Sequence, residues 1–391
     1  MLSSELIAAA ARKRDEIIKK IEIFSKQHYI NEVRKFWVSY EPSPKVPTSI
    51  AGVDGSNVKV DFQGFTIYGV TAAAVIYREL INGKYSDVAT LSVADIDVLS
   101  PPQAAERVGL YREILEVKVA IQAMLSGAEY VLMDGSLRSI LITPSPLNQV
   151  LLSTILSRIK REFGEEVFDE IESELTRTLK SISEIKAHPL IAKEVTEPIV
   201  YEVDESRLQM IIALEYIEKL AVIRRLISDA YLNSVPILFI SKTSRSQAYI
   251  KHFIKGKTPV TDIMVFQYLT KEPGFSKPYL EEKPIKEMPK VMGLKEFYDK
   301  LRILLVYIRL GEGEPVLKVE IPYLVGTSAS DVLDDVVKEV ADILKPISGG
   351  RYPYPLYEAH RVTYLSRDTF ANVVDALGIS RLLTGREVLG E

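Results

Sequence analysis

Apolar residues open the chain at three- and four-residue intervals. Leu6, Ile7, Ala10, Ile17, Ile21 and Phe24, with charges between them, predict a helix over residues 4–38. The run Glu41-Pro-Ser-Pro-Lys-Val-Pro47 stops it, because three prolines in seven residues remove donors and clash with a helical backbone. Three strand-like stretches follow at about 49–60, 64–78 and 86–97. Asp61-Phe-Gln-Gly64 and Asn82-Gly83 join them, and Asn-Gly favours a tight hairpin turn, so an antiparallel meander is expected. A helix over about 103–126 carries Leu110, Ile114, Val117, Ile121 and Met124 on one face and ends at Ser126-Gly127. Glu129–Met133 then forms a fourth strand that delivers Asp134. The unbroken apolar run from Val235 to Ile240 predicts a fifth strand, buried on both faces.

Three antiparallel strands, a crossover helix and further strands are the order of a ribonuclease H-like fold. The expected class is therefore α/β, a mixed sheet flanked by helices, with an N-terminal helix and a helical insertion. Residues 1–48 are assigned to that helix and its proline-rich connector, and residues 49–391 to one domain with the insertion at about 145–228. The insertion includes the acidic amphipathic stretch Glu162–Glu174 and a helix over Ser206–Ser228. Farther on, Leu301–Arg309 and Val316–Val325 flank Gly311-Glu-Gly-Glu-Pro315 as a hairpin. A helix over about Ser330–Leu344 and one or two more after His360 close the chain.

At 391 residues and 47% hydrophobic, the composition supports a sizeable core. No apolar stretch reaches membrane-spanning length and the first residues lack a basic leader, so a cytoplasmic protein with no membrane partner is expected. The absence of cysteine excludes disulfides, thiolate zinc sites and a thiol nucleophile, leaving oxygen and imidazole chemistry. The net charge of −4 hides one asymmetry: Ala230–Thr261 contains no acid but holds Lys242, Arg245, Lys251, Lys255 and Lys257. That run starts at a strand end and suits contact with a nucleic-acid backbone, against the plainer reading of a solvated face.

Asp54 and Asp134 both end apolar strand-like runs and both precede Gly-Ser. Carboxylates at the ends of buried strands contribute little to a core and are well placed to meet a cation. A glutamate from the crossover helix would complete a set able to fix two hard cations for phosphodiester hydrolysis. Glu116 is preferred, four residues after Arg112; Glu113 lies on the same helix edge, and Glu106 is a poorer third candidate. Gly55 and Gly135 leave room beside each aspartate for a phosphate or a turn. The plain alternative is two Asp-Gly turns that merely start loops. Tyr352 and His360 form a second group, the imidazole suited to proton transfer or metal binding and the ring to a phosphate or a base. Two other patterns carry no chemistry: Lys251 stands where a phosphate-binding loop needs its first glycine, and Gly311-Glu-Gly-Glu-Pro315 lacks a dinucleotide site's third glycine.

Gly-Val-Asp-Gly-Ser at 52–56, Arg112 with Glu116, Leu-Met-Asp-Gly-Ser-Leu at 132–137, Ile-Ser-Lys-Thr-Ser at 240–244 and Tyr352 to His360 together resemble the archaeal NurA nuclease family. The resemblance spans about 50–365. It implies Asp54, Glu116 and Asp134 as metal ligands, Tyr352 and His360 as catalytic helpers, and Lys242 as a phosphate contact; Arg245 is a second expected DNA contact by its place in the basic run alone. It further implies manganese dependence, with magnesium as the alternative, and 5′ to 3′ exonuclease action on single- and double-stranded DNA with single-strand endonuclease action. A homodimer that works with a HerA-type hexameric ATPase in DNA end resection and break repair is also implied. Two rival readings remain: an actin- or sugar-kinase-like phosphotransferase, which would bind ATP without cutting DNA, and a non-catalytic DNA-binding scaffold indifferent to metal ions.

Overall fold

The computed structural model describes residues 2–24, 33–62, 64–81, 84–100, 104–147, 151–180, 205–253, 261–282, 285, 288, 290–325 and 333–378. The proposed turn at Asn82-Gly83, Lys255, Lys257 and the start of the helix expected from Ser330 lie outside the described residues. The meander forms as expected from β2 (Ile50–Asp61), β3 (Thr66–Ile81) and β4 (Lys84–Leu99). Helix α1 (Leu2–Phe24) precedes it and α2 (Ala104–Leu125) follows, crossing to β5 (Tyr130–Asp134), which pairs parallel to β2. Strand β6 (Ile237–Ser241) is parallel to β5 and wholly buried. The order β4-β3-β2-β5-β6, with α2 as the crossover, is the expected ribonuclease H-like core.

The sheet continues past that core. β9 (Leu301–Arg309) and β10 (Val316–Leu324) make the expected hairpin, and β10 pairs antiparallel with β6. β7 (Gly274–Ser276), β8 (Tyr279–Glu282) and β1 (Trp37–Ser39) extend the far side, giving ten strands in one mixed sheet among the described residues. The strand β1 corrects the expected helix over 4–38. The helix α1 is described over Leu2–Phe24, and Trp37–Ser39 pairs with β7, with Trp37 opposite Ser276. Bulky aromatic and β-branched residues at Phe36, Trp37 and Val38 fit a pleated surface better than a helix. The apolar positions Leu6, Ile7, Ile17 and Ile18 of α1 remain exposed.

Side chains of successive strand residues point to opposite faces, so one sheet serves two cores. On one face Ala51, Val53, Val131 and Met133 pack under α2, which is itself covered by α5 (Glu205–Asn233). The insertion adds α3 (Leu152–Phe163) and α4 (Glu165–Lys180) to this layer; Gly164, at φ 91°, splits the acidic stretch that reads as one helix in the sequence. On the other face Ile50, Leu132, Leu238 and Ile240 pack under α6 (Leu333–Ser348) and α7 (Tyr354–Thr363), and α8 (Arg367–Ala376) follows. Between α2 and α5, buried charges are matched one to one: Arg107 with Glu215 at 2.6 Å, Lys118 with Glu218 at 2.7 Å, and Lys219 with Glu113 at 3.0 Å. Among the described residues, no helix is long and apolar enough to cross a membrane.

Candidate active site

The parallel register of β2 and β5 runs from Ile50 opposite Tyr130 to Val53 opposite Met133. One step further, each strand carries an aspartate, Asp54 and Asp134. Alternation from Gly52 and Leu132 directs both carboxylates to the face covered by α6 and α7. Asp54 is buried, and its Oδ1 accepts the Gly55 N–H at 2.8 Å. Gly135, at φ 113°, turns the chain immediately after Asp134.

Helix α7 reaches this point because Gly52 has no side chain. A Cβ there would stand 2.2 Å from the Pro355 carbonyl carbon, well inside contact distance. Leu356 and Ala359 fill the resulting seat, and the last turn of α7 brings His360 Nδ1 to 2.7 Å from Asp54 Oδ2. His360 therefore lies near the helix end, where the sequence places it at a helix start. An ionised carboxylate only accepts, so pairing with it puts the proton on Nδ1 and leaves Nε2 as the free nitrogen. Just before α7, the Tyr352 hydroxyl lies 2.8 Å from Asp134 Oδ1 and 3.1 Å from the Ile240 carbonyl oxygen. Burial, reinforced by the Asp134 carboxylate, pushes the Tyr352 hydroxyl far above its ordinary range and keeps it a donor. Lys242 Nζ stands over the Tyr352 ring, 4.0 Å from its centroid.

Glu116 arrives from the opposite face, on α2. It passes where β5 has ended and β2 carries Gly55: a Cβ at Gly55 would lie 2.6 Å from both Glu116 Cγ and Oε1. That glycine makes room for a glutamate, where the sequence suggested room for a phosphate or a turn. Glu113, one turn earlier, is held by Lys219 at 3.0 Å and is directed to the α5 side. Glu106 is exposed at the start of α2. Of the three candidates the structure brings Glu116 to the aspartates. Arg112 Nε lies 3.3 Å from Glu116 Oε1 but makes no hydrogen bond, a Coulombic contact only.

Burial pushes the Glu116 carboxyl up to about 8; Arg112 opposes the shift, and Asp54, Glu113 and Asp134 add to it. Asp134 is also raised, first by burial and then by Asp54, against the Tyr352 hydrogen bond and the charges of Lys242 and His360. Three carboxylates thus share one low-dielectric region with a shortage of positive charge, and all are hard oxygen donors of the kind that suit manganese or magnesium. Among the described residues, no group of three or more acidic or imidazole side chains is already assembled as a cation cage. Each carboxylate is turned to a protein partner instead: Asp54 to His360, Asp134 to Tyr352, Glu116 towards Arg112. By chemistry alone, three carboxylate donors suit a hard divalent cation.

The NurA domain profile matches residues 48–364 of this chain. The chain belongs to the NurA family. Similar proteins include the DNA double-strand break repair nuclease NurA of Saccharolobus solfataricus, 26% identical over 91% of this chain and 90% of that one. The probable DNA double-strand break repair nuclease NurA of Methanocaldococcus jannaschii is 26% identical over 99% of this chain and 92% of that one. Among solved structures, NurA bound to dAMP and manganese superposes with a TM-score of 0.68 at 18% identity, covering 96% of this chain and 97% of that chain. The NurA nuclease of Sulfolobus solfataricus gives 0.66 at 22% identity, covering 96% of both chains.

Within this NurA fold, Asp54, Glu116, Asp134, Tyr352, His360 and Lys242 come together, whereas Arg245 is exposed farther along the loop after β6. Two contributors escaped the sequence reading. Gly52 lies two residues before Asp54 on the same face of β2, a spacing that could have flagged a close approach. Arg112 was visible as part of a motif, but its charge acts on Glu116, Glu113, Asp54 and Asp134 together.

Proposed function

We propose that this NurA-family chain is a metal-dependent deoxyribonuclease that hydrolyses phosphodiester bonds in DNA double-strand break repair. One observation carries the reading: Asp54 and Asp134, at the ends of adjacent parallel strands, meet a buried glutamate from the opposite helix layer. Asp54, Glu116 and Asp134 would hold two divalent cations, manganese first and magnesium second. Bound there, such ions supply Lewis acidity and lower the pKa of an attacking water. His360 orients Asp54 through Nδ1 and offers Nε2 to move a proton at the attacking water or the leaving oxygen. Tyr352 fixes Asp134 and, with Lys242 above its ring, presents positive charge to a phosphate. Arg245, on the exposed loop, contributes a backbone contact that carries no sequence preference.

Following the family resemblance, the proposed activities are 5′ to 3′ exonuclease action on single- and double-stranded DNA and endonuclease action on single strands. The proposed assembly is a homodimer working with a HerA-type hexameric ATPase in end resection. The test is cleavage of end-labelled linear DNA by the whole chain in manganese and in EDTA, with Asp54→Asn alongside. Cutting that needs manganese and Asp54 supports the reading. Cutting unaffected by either overturns it, and tight ATP binding without DNA cleavage would move the chain to the phosphotransferase class.

A further inference from the structure

Tyr354, Tyr357 and Tyr364 project from the solvent side of α7 and its cap, with 52%, 54% and 65% of their surface exposed. The core side of the helix is filled by Pro355, Leu356, Ala359 and Thr363; Tyr354 leans on Tyr77, with 5.8 Å between ring centroids, whereas Tyr357 and Tyr364 stay more than half exposed. Tyr357 and Tyr364 are seven residues apart and share one crest, ~10 Å from each other along the axis at 1.5 Å per residue. His360 lies between them on the flank that meets Asp54. The rings form a sequence leading to the site. Tyr354 and Tyr357 are nearly parallel, with centroids 6.3 Å apart, and the Tyr364 ring centroid is 6.2 Å from that of His360. Charge beside the rings is balanced: exposed Arg361 pairs with Glu358 at 2.8 Å, so this segment sets no net negative charge against a strand's phosphates.

We propose that Tyr357 and Tyr364, with Tyr354 at the outer end, are a stacking platform for the unpaired bases of a DNA strand whose phosphates lie at the carboxylate site beside His360. The proposal rests on the nuclease reading and gives it a substrate preference. Every base has a π-face, so a row of rings holds any single strand without reading its sequence. A duplex keeps those faces inside its own stack and cannot use the row. A crest of ~10 Å spans about three base steps at 3.4 Å each. Contact between Tyr364, His360 and Asp54 makes the platform continuous with the site that would cut the strand.

The test is fluorescence anisotropy on the full chain in EDTA, where binding is read without cleavage. The probes are a 20-nucleotide single strand, an abasic strand of the same length and a duplex. For Tyr357→Ala with Tyr364→Ala, affinity for the base-containing strand is expected to fall about tenfold or more per ring. The abasic strand and the duplex should change less than about twofold, and Tyr357→Phe with Tyr364→Phe should restore wild-type binding. Thermal melting and light scattering on the same variants report folding and oligomeric state. Equal losses on base-containing and abasic strands, or no loss on either, overturn the platform. So does a change of oligomeric state, which would assign the rings to a second copy of the chain. Because the readout is binding, it can fail while manganese-dependent cutting stands, and a failure to cut leaves the comparison of strands intact.

Discussion

The two sides of the crossover helix treat buried charge in opposite ways. Towards α5, Arg107, Lys118 and Lys219 each face a partner acid, Glu215, Glu218 and Glu113, at hydrogen-bonding distance. Towards the strand ends, Asp54, Glu116 and Asp134 crowd together with Arg112 in Coulombic contact and His360 at the rim. Matched pairs hold helices in register and resist removal of either member; an excess of carboxylate raises proton affinity and invites a cation. Glu113 and Glu116, three residues apart on α2, belong one to each regime.

Substitutions should separate the two regimes, beginning with the largest effect. Asp54→Asn removes a charge at the centre of the excess, and manganese-dependent cleavage is expected to fall by about three orders of magnitude or more, since several kcal/mol of charge stabilisation is lost. DNA affinity in EDTA should change little, because it rests on Lys and Arg contacts. Next come the neighbours on the helix. Glu116→Gln should depress manganese affinity, read by calorimetry, while leaving or raising thermal stability. Glu113→Gln should do the reverse, leaving manganese affinity intact and costing about 3 kcal/mol in denaturant melts because Lys219 is left buried and unpaired. If both variants lose stability and keep manganese, the division between the two regimes is wrong.

A smaller effect is expected at Gly55. An added methyl would strike the Glu116 carboxyl end, which can move, so Gly55→Ala should fold normally yet lose about 10- to 100-fold in turnover by displacing that group. Gly52→Ala meets the Pro355 backbone instead and should unseat α7, with a melting loss as well as an activity loss.

The pH dependence is the mildest probe. With the Glu116 carboxyl pushed up to about 8, the metal-free folded state binds a proton that the unfolded chain releases at ordinary carboxylate pH. That contribution to stability is complete below about pH 4.5 and is lost as pH rises through about 8. The metal-free melting temperature should therefore show a downward component over that window, absent in Glu116→Gln. Manganese binding should release protons below about pH 8.

Much of this was legible in the chain. The meander, the crossover and the two aspartates follow from apolar runs that end at Asp-Gly, and local chemistry decides each of them. What was not legible depends on distant partners. The sequence favours Glu116 over Glu113 only through its spacing from Arg112; what draws Glu113 aside is Lys219, more than 100 residues away. The strand Trp37–Ser39 reads as the end of a helix in the sequence because its partner β7 lies more than 230 residues downstream. Gly52 reads as an ordinary strand residue until α7 is laid against it.

The most direct measurement is anomalous diffraction from crystals of the chain grown with manganese. Anomalous density between Asp54, Glu116 and Asp134, with Glu113 still on Lys219, is the expected result. Manganese bound elsewhere, or bound through Glu113 with Glu116 left on Arg112, would contradict the assignment of the excess carboxylates as the cutting site.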